Sequence, residues 1–269
     1  SYSFYNCIGL TTILIPASVT SIGSGAFQGT SLIDTVIPVS VTFIGANAFR
    51  GLGVIIPNTT TSIGASLFLN TGITSVSIPE SITSIGANAF SGCVLLNSFT
   101  VSPSILISTI FVSTVFTGCT SLTSVTLGLG TNTPESISQD QRAYLYVIAP
   151  LITHINFGTN ITSIDATFRF SPLTTITFEP GSTLVSICDN AFVYVFLDGP
   201  LNLPSSLVSI GASAFSNNNI RGDLIIPDSV TNIGNSAFIL AGFNGTLTIG
   251  TGITRIEHNT FDRNDFTGA

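Results

Sequence analysis

The chain has no methionine, no tryptophan and no lysine, and only 7% of its 269 residues are charged. Its six basic residues are all arginines, set against thirteen acids, for a net charge of −7. Without a basic cluster there is no footprint for a nucleic-acid backbone or for an anionic lipid surface. Long apolar runs are missing as well. A mean hydropathy of +0.60 would suit a membrane protein, but Ser and Thr interrupt every run before the ~18–20 apolar residues a spanning helix needs. No membrane insertion is expected of this segment.

Catalytic and metal-binding patterns are equally scarce. The two histidines, His154 and His258, stand in different parts of the chain. No Gly-x-Ser-x-Gly elbow and no phosphate loop occurs. The scattered acids Asp223, Asp228, Asp262 and Asp265 lack the Asp-x-Asp-x-Asp-Gly spacing of a calcium loop. None of the four cysteines belongs to a Cys-x-x-Cys pair. The expectation is a protein without enzymatic activity, cofactor or metal.

What is present is one motif, many times over. Its best copy runs Ser77-Ile-Pro-Glu-Ser-Ile-Thr-Ser-Ile-Gly-Ala-Asn-Ala-Phe90. The terminal phenylalanine recurs at Phe4, Phe27, Phe49, Phe68, Phe90, Phe116, Phe168, Phe192, Phe215, Phe238 and Phe261, with Tyr144 in the gap before Phe168. The period is ~23 residues, which means a solenoid of stacked coils. Other columns keep register with it. Proline stands eleven residues earlier at Pro16, Pro38, Pro57, Pro79, Pro204 and Pro227. Isoleucine stands five earlier at Ile22, Ile44, Ile63, Ile85, Ile187, Ile210, Ile233 and Ile256, usually followed by glycine. Ile-Pro ends a strand, because proline lacks the N–H a central ladder requires. Ile-Gly marks a corner, for which glycine supplies a backbone angle others resist. Each coil should hold two short strands and a turn, with Phe as the interior wedge. One coil cannot bury that face alone, whereas stacked coils make a continuous core.

The segments "IPESITSIGANAFSGC", "IPASVTSIGSGAF" and "IPDSVTNIGNSAF" resemble BspA-like leucine-rich repeats, of the type found in treponemal and Bacteroides-group surface proteins. The resemblance covers Phe4 to the end and is weakest over about 97–200. It implies a mostly β, right-handed leucine-rich-repeat solenoid of about eleven coils. It also implies a secreted or cell-surface protein that binds host or matrix proteins or other cells, and it supplies no catalytic residues.

The whole of 1–269 reads as a single solenoid and a segment of a longer protein. Polar residues 131–142 have no apolar periodicity and read as a loop insertion. Val193-Tyr-Val-Phe-Leu-Asp-Gly-Pro200 puts aromatics between two coils, and extra core is the expected use. Cys7, Cys93 and Cys119 share one repeat column and Cys188 replaces a corner glycine. Buried free thiols are expected, with a Cys93–Cys119 bridge as the alternative.

Three surface patterns remain. Between the two inward residues of the strand before Ile-Pro, one position should face solvent. It holds Leu14, Val36, Ile55 and Ile225 in four coils, and apolar residues exposed in a row mark a partner surface. A threonine column, Thr20, Thr42, Thr61, Thr83, Thr231 and Thr254, would repeat about every 4.8 Å along the stack, a spacing suited to ice or mineral. Asn58, Asn160 and Asn244 head Asn-x-Thr acceptors for N-glycosylation. The reading that follows is adhesion or recognition, with a protein, a surface glycan or copies of the chain itself as partner. A building block of an extracellular assembly is the alternative, and ice or mineral binding the third.

Overall fold

The structure is a computed structural model that describes residues 1–33, 35–101, 114–128, 135–137, 151–166 and 168–268. It forms two compact units, Ser1–Val125 with Tyr144–Leu151, and Thr126–Ala143 with Ile152–Ala269. Among the described residues there is no helix; short parallel strands alternate with turns.

In the first unit the strands that precede the proline pair in chain order: Thr35–Val36, Gly53–Ile55, Ser75–Ile78, Ser98–Val101 and the start of Ser124–Leu127. Register runs down the columns, so Val54 faces Val76 and Val76 faces Phe99. Strands at the Ile-Gly corner form a second arm, with Ser21–Ile22 on Phe43–Ile44 and Ser62–Ile63 on Ser84–Ile85. In the second unit His154–Phe157 pairs with Thr175–Phe178, and Leu224–Ile226 with Leu247–Ile249. Its corner arm is a five-stranded parallel ladder: Glu135–Ile137, Ile161–Ile164, Ser186–Ile187, Ser209–Ile210 and Asn232–Ile233. About eight turns carry a strand on both arms, fewer than the eleven that the Phe column counts. The first and last coils lack a paired strand on one arm or both, and the coil crossing 102–113 lies partly outside the described residues.

Alternation explains the strands. Along Ser75–Ile78, Val76 and Ile78 are buried while Ser75 and Ser77 are half-buried. Proline then closes the corner. The Val19, Val41, Thr60, Ile82, Leu207 and Val230 N–H groups each donate to the carbonyl of the proline three residues earlier. The phenylalanines stack ring on ring. Centroid separations are 5.2 and 5.3 Å along Phe4–Phe27–Phe49, and 5.5, 5.3, 5.3 and 5.7 Å along Phe168–Phe192–Phe215–Phe238–Phe261.

Several expectations need correction. The corner glycines are chosen for room, not angle. None of Gly23, Gly45, Gly64, Gly86, Gly211 and Gly234 has a positive φ, but a Cβ on Gly45, Gly86, Gly211 or Gly234 would strike the backbone of the preceding coil. The left-handed residues instead flank the phenylalanine, two before it (Asn47, Asn88, Asn190) and two after it (Asn70, Gly92, Asn217). Ile256 is 58% exposed rather than core, since no strand forms over Gly250–Thr267 to pull it inward. Within 131–142, Glu135–Ile137 is a strand of the corner ladder with Ile137 buried; the rest of that segment, and Tyr144, lie outside the described residues. In 193–200, Val193, Val195 and Leu197 are core, but Tyr194 and Phe196 point outward at 42% and 68% exposure.

Candidate recognition surfaces

The extended segment before the proline, a paired strand at Thr35–Val36 and Gly53–Ile55 but not around Leu14, turns its middle residue outward, because both its neighbours are needed inside. Leu14 is 89% exposed, between half-buried Ile13 and buried Ile15. Val36 is 48% exposed and Ile55 half-buried. Val36 pairs directly with Ile55, and Ile55 with Ser77, so the apolar row ends there. Leu14 also borders an open cleft of about 310 Å³ walled by Phe4, Ile15, Pro16, Val19 and Phe27. Ile225 is exposed too, but it belongs to the other unit and pairs with Thr248, so it extends a different, mostly polar row.

Thr20, Thr42, Thr61, Thr83, Thr231 and Thr254 are all exposed. Their hydroxyls are partly spent on the stack itself: Thr42 Oγ1 donates to the Thr20 carbonyl at 3.3 Å and Thr83 Oγ1 to the Thr61 carbonyl at 2.9 Å. The column is broken in the second unit, where Val185 and Val208 take the corresponding place. Of the glycosylation acceptors, Asn58 and Asn244 are exposed, and the Asn244 Oδ1 accepts the Gly222 N–H at 2.8 Å. Asn160 differs from these two: it is only 6% exposed and packs under Gly128.

Acids serve as clamps between coils. Asp223 Oδ1 accepts the Thr246 N–H and Oγ1–H at 2.6 and 2.8 Å, and Asp228 Oδ1 accepts those of Thr251 at 2.8 and 3.1 Å. These donors favour the carboxylate, so both acids sit below their usual pKa. His154 engages Thr153, the backbone N–H of His258 donates to Asn235, and Glu257 pairs with Arg255 at 3.1 Å. Among the described residues no group of three His, Cys, Asp or Glu could hold a metal, and no helix is long and apolar enough to cross a membrane.

All four cysteines are free. Cys93 and Cys119 are buried, each donating its thiol to a phenylalanine carbonyl of the coil before, Phe68 at 2.9 Å and Phe90 at 3.1 Å. Burial pushes the Cys93 thiol up and the Cys119 thiol up to about 12. Cys188 is half-buried, and its thiol is raised by burial and then by Asp165. Cys7 corrects the buried-thiol expectation: it lies exposed in the first coil, whose Phe4 stacks on Phe27 alone in its column.

Residues 1–53, 52–165 and 139–267 match the BspA type Leucine rich repeat region, in six copies. The chain belongs to this family. Among solved structures, this BspA-type chain is similar to a leucine rich cell surface protein from Faecalibacterium prausnitzii A2-165. Identity there is 25%, the match covers 63% of this chain and 54% of the other, and the TM-score is 0.26. A leucine-rich repeat protein from Bacteroides ovatus ATCC 8483 matches at 19% identity over 100% of this chain and 71% of the other, also with a TM-score of 0.26. The chain thus spans about half the length of the first of these. No curated protein matches it.

Sequence columns concealed one device of this BspA-type coil. A serine two residues after the proline sends its hydroxyl to the coil before: Ser40 to the Val19 carbonyl, Ser81 to Thr60, Ser206 to Leu184 and Ser229 to Leu207, at 2.6–2.8 Å. The signal was the Pro-x-Ser spacing at positions 38–40, 79–81, 204–206 and 227–229, which in so Ser-rich a chain does not stand out.

Proposed function

We propose that this BspA-type chain is a non-enzymatic recognition module of a secreted or cell-surface protein, used for adhesion to other proteins. The observation that carries the reading is the outward apolar row Leu14, Val36 and Ile55 beside the open cleft. Val36 and Ile55 are held on paired strands, and exposed apolar side chains on such a frame favour a partner over solvent. Family membership supports an extracellular setting.

The test replaces Leu14, Val36 and Ile55 together by Ser. Binding of wild type and variant to immobilised fibronectin, collagen, laminin and mucin is measured as isotherms, with circular dichroism as the check on folding. Saturable wild-type binding that disappears in a folded triple variant is the expected result. Unchanged binding in the folded variant would remove the row from the account. A second reading, a building block of an extracellular assembly, draws on the same open cleft, which a further coil would fill. Self-association that depends on the three residues, without binding to any of the four proteins, would favour it.

A further inference from the structure

Two residues after each wedge phenylalanine the backbone turns left-handed, and the usual occupants are glycine or asparagine: Asn6, Gly29, Gly51, Asn70, Gly92, Gly118 and Asn217. Phe170, Tyr194, Leu240 and Arg263 break this rule at φ 57°, 55°, 51° and 57°, and Phe196 adds another left-handed aromatic at 65°. Large side chains are disfavoured there by contact with the neighbouring carbonyl. The aromatic ones, Phe170, Tyr194 and Phe196, do not recover that cost by burial, since they are 60%, 42% and 68% exposed. Exposed aromatic rings therefore stand in two neighbouring coils where glycine or asparagine serves most others.

Two of the rings are arranged against each other. Phe170 and Tyr194 stack at 5.4 Å between centroids and 20° between planes. The Arg169 guanidinium lies over the Phe170 ring at 4.6 Å. Arg221, Arg255 and Arg263 each face a carboxylate within 3.6 Å, but Arg169, like Arg50, has none among the described residues. The backbone beneath is fixed by Val193, Val195 and Leu197, all buried. A cation left without a counter-ion in so acidic a chain, set against a rigid apolar surface, is complementary to an acid that comes from outside.

We propose that Arg169, Phe170, Tyr194 and Phe196 form a docking surface for a protein segment that carries a carboxylate beside apolar side chains. The proposal rests on the recognition reading only in taking the chain for a binding module. Arginine and tyrosine are the side chains that dominate protein contact energies, and the guanidinium fork matches a carboxylate in two hydrogen bonds. A sugar ring would need an open aromatic face. Phe170 is already stacked with Tyr194 and lies under Arg169, so its ring is engaged and the charge is what it presents.

The test pans a random-peptide phage library on the immobilised wild-type chain, and the selected peptides are then synthesised. Phe170→Asn with Tyr194→Asn installs the residue that Asn70 and Asn217 already show to fit, so this double variant should fold and melt no lower than wild type. Arg169→Gln, at an exposed position, serves as the independent variant. The expected result is enrichment of peptides with Asp or Glu flanked by apolar residues. Their affinity should fall roughly tenfold or more for Arg169→Gln and for peptides with the acid amidated. The double Asn variant should not bind measurably. The Leu14, Val36 and Ile55 triple variant lies in the other unit and should bind these peptides normally, which separates failure of this surface from failure of the adhesion row. No enrichment, or peptides without an acid, or full binding to either variant, would overturn the proposal. Binding of wild type, but not the double variant, to a glycan array without peptide enrichment would overturn it in favour of a carbohydrate.

Discussion

Replacing Phe215 by Ala removes a ring that is fully buried and stacked on both sides, against Phe192 and Phe238 at 5.3 Å each. Truncation of a buried aromatic costs about 3–5 kcal/mol, of which each ring pair accounts for about 0.5–1.5 kcal/mol. Phe261 holds the same column but is half-buried, with one stacked neighbour at 5.7 Å and one edge contact to Phe266 at 6.4 Å. Its truncation should cost roughly half as much, in proportion to the area it hides. At about 2–4 °C per kcal/mol for a chain of this order of size, Phe215→Ala should lower the melting temperature of its transition by roughly 6–20 °C. Scanning calorimetry and urea titration by circular dichroism would measure both variants. Equal costs at the two positions, or no shift for Phe215→Ala, would refute the picture of a core made by ring stacking between coils.

Three further outcomes follow from the geometry. Cys7 should label at once with a thiol reagent at pH 8, while Cys93 and Cys119 stay unlabelled until denaturation, after which all four titrate as free; an oxidised pair in fresh protein would contradict this. Gly86→Ala should cost about 1–3 kcal/mol, because its Cβ would meet the Ala65 backbone, whereas Gly64→Ala, with nothing within 4 Å, should be near neutral in the same urea assay. Asp228 is held below its usual pKa by the Thr251 donors, so its contribution to stability is complete above the unfolded value of about 3.9 and is lost as pH falls through the folded one. The melting-temperature gap between wild type and Asp228→Asn should therefore be constant from pH 7 to 5 and close as pH drops below about 4; a gap that persists at pH 2 would show that the carboxylate charge is not what Thr251 recognises.

Much of the fold was legible because the coil is short and every turn repeats the same contacts. Phe, Pro and the Ile of the corner each sit in one environment many times over, so their columns report burial directly. Residues that serve the gap between coils were harder to read. The corner glycines looked like an angular requirement because glycine answers to both angle and space, and only the neighbouring backbone decides. Tyr194 and Phe196 looked like core because their hydrophobicity was visible and the alternation with Val193, Val195 and Leu197 was not weighed. The end coils misled for the opposite reason: Cys7 and Ile256 keep the column pattern but lack the packing that gives it meaning. The outward row at Leu14, Val36 and Ile55 was readable from strand alternation alone, whereas Arg169 with its unpaired charge needed coordinates.

The coil is the unit of both core and surface, and deletion of one period tests that most directly. Removing Ser216–Phe238 takes out 23 residues and puts Phe215 in the place of Phe238, beneath Phe261. Removing Ser216–Pro227 takes out twelve and throws every later column out of register. Far-UV circular dichroism through thermal melting compares the two. The full-period deletion should keep the β spectrum and a cooperative transition, and the half-period deletion should lose the transition of its unit. Equal behaviour of the two deletions would contradict a structure built by stacking identical turns.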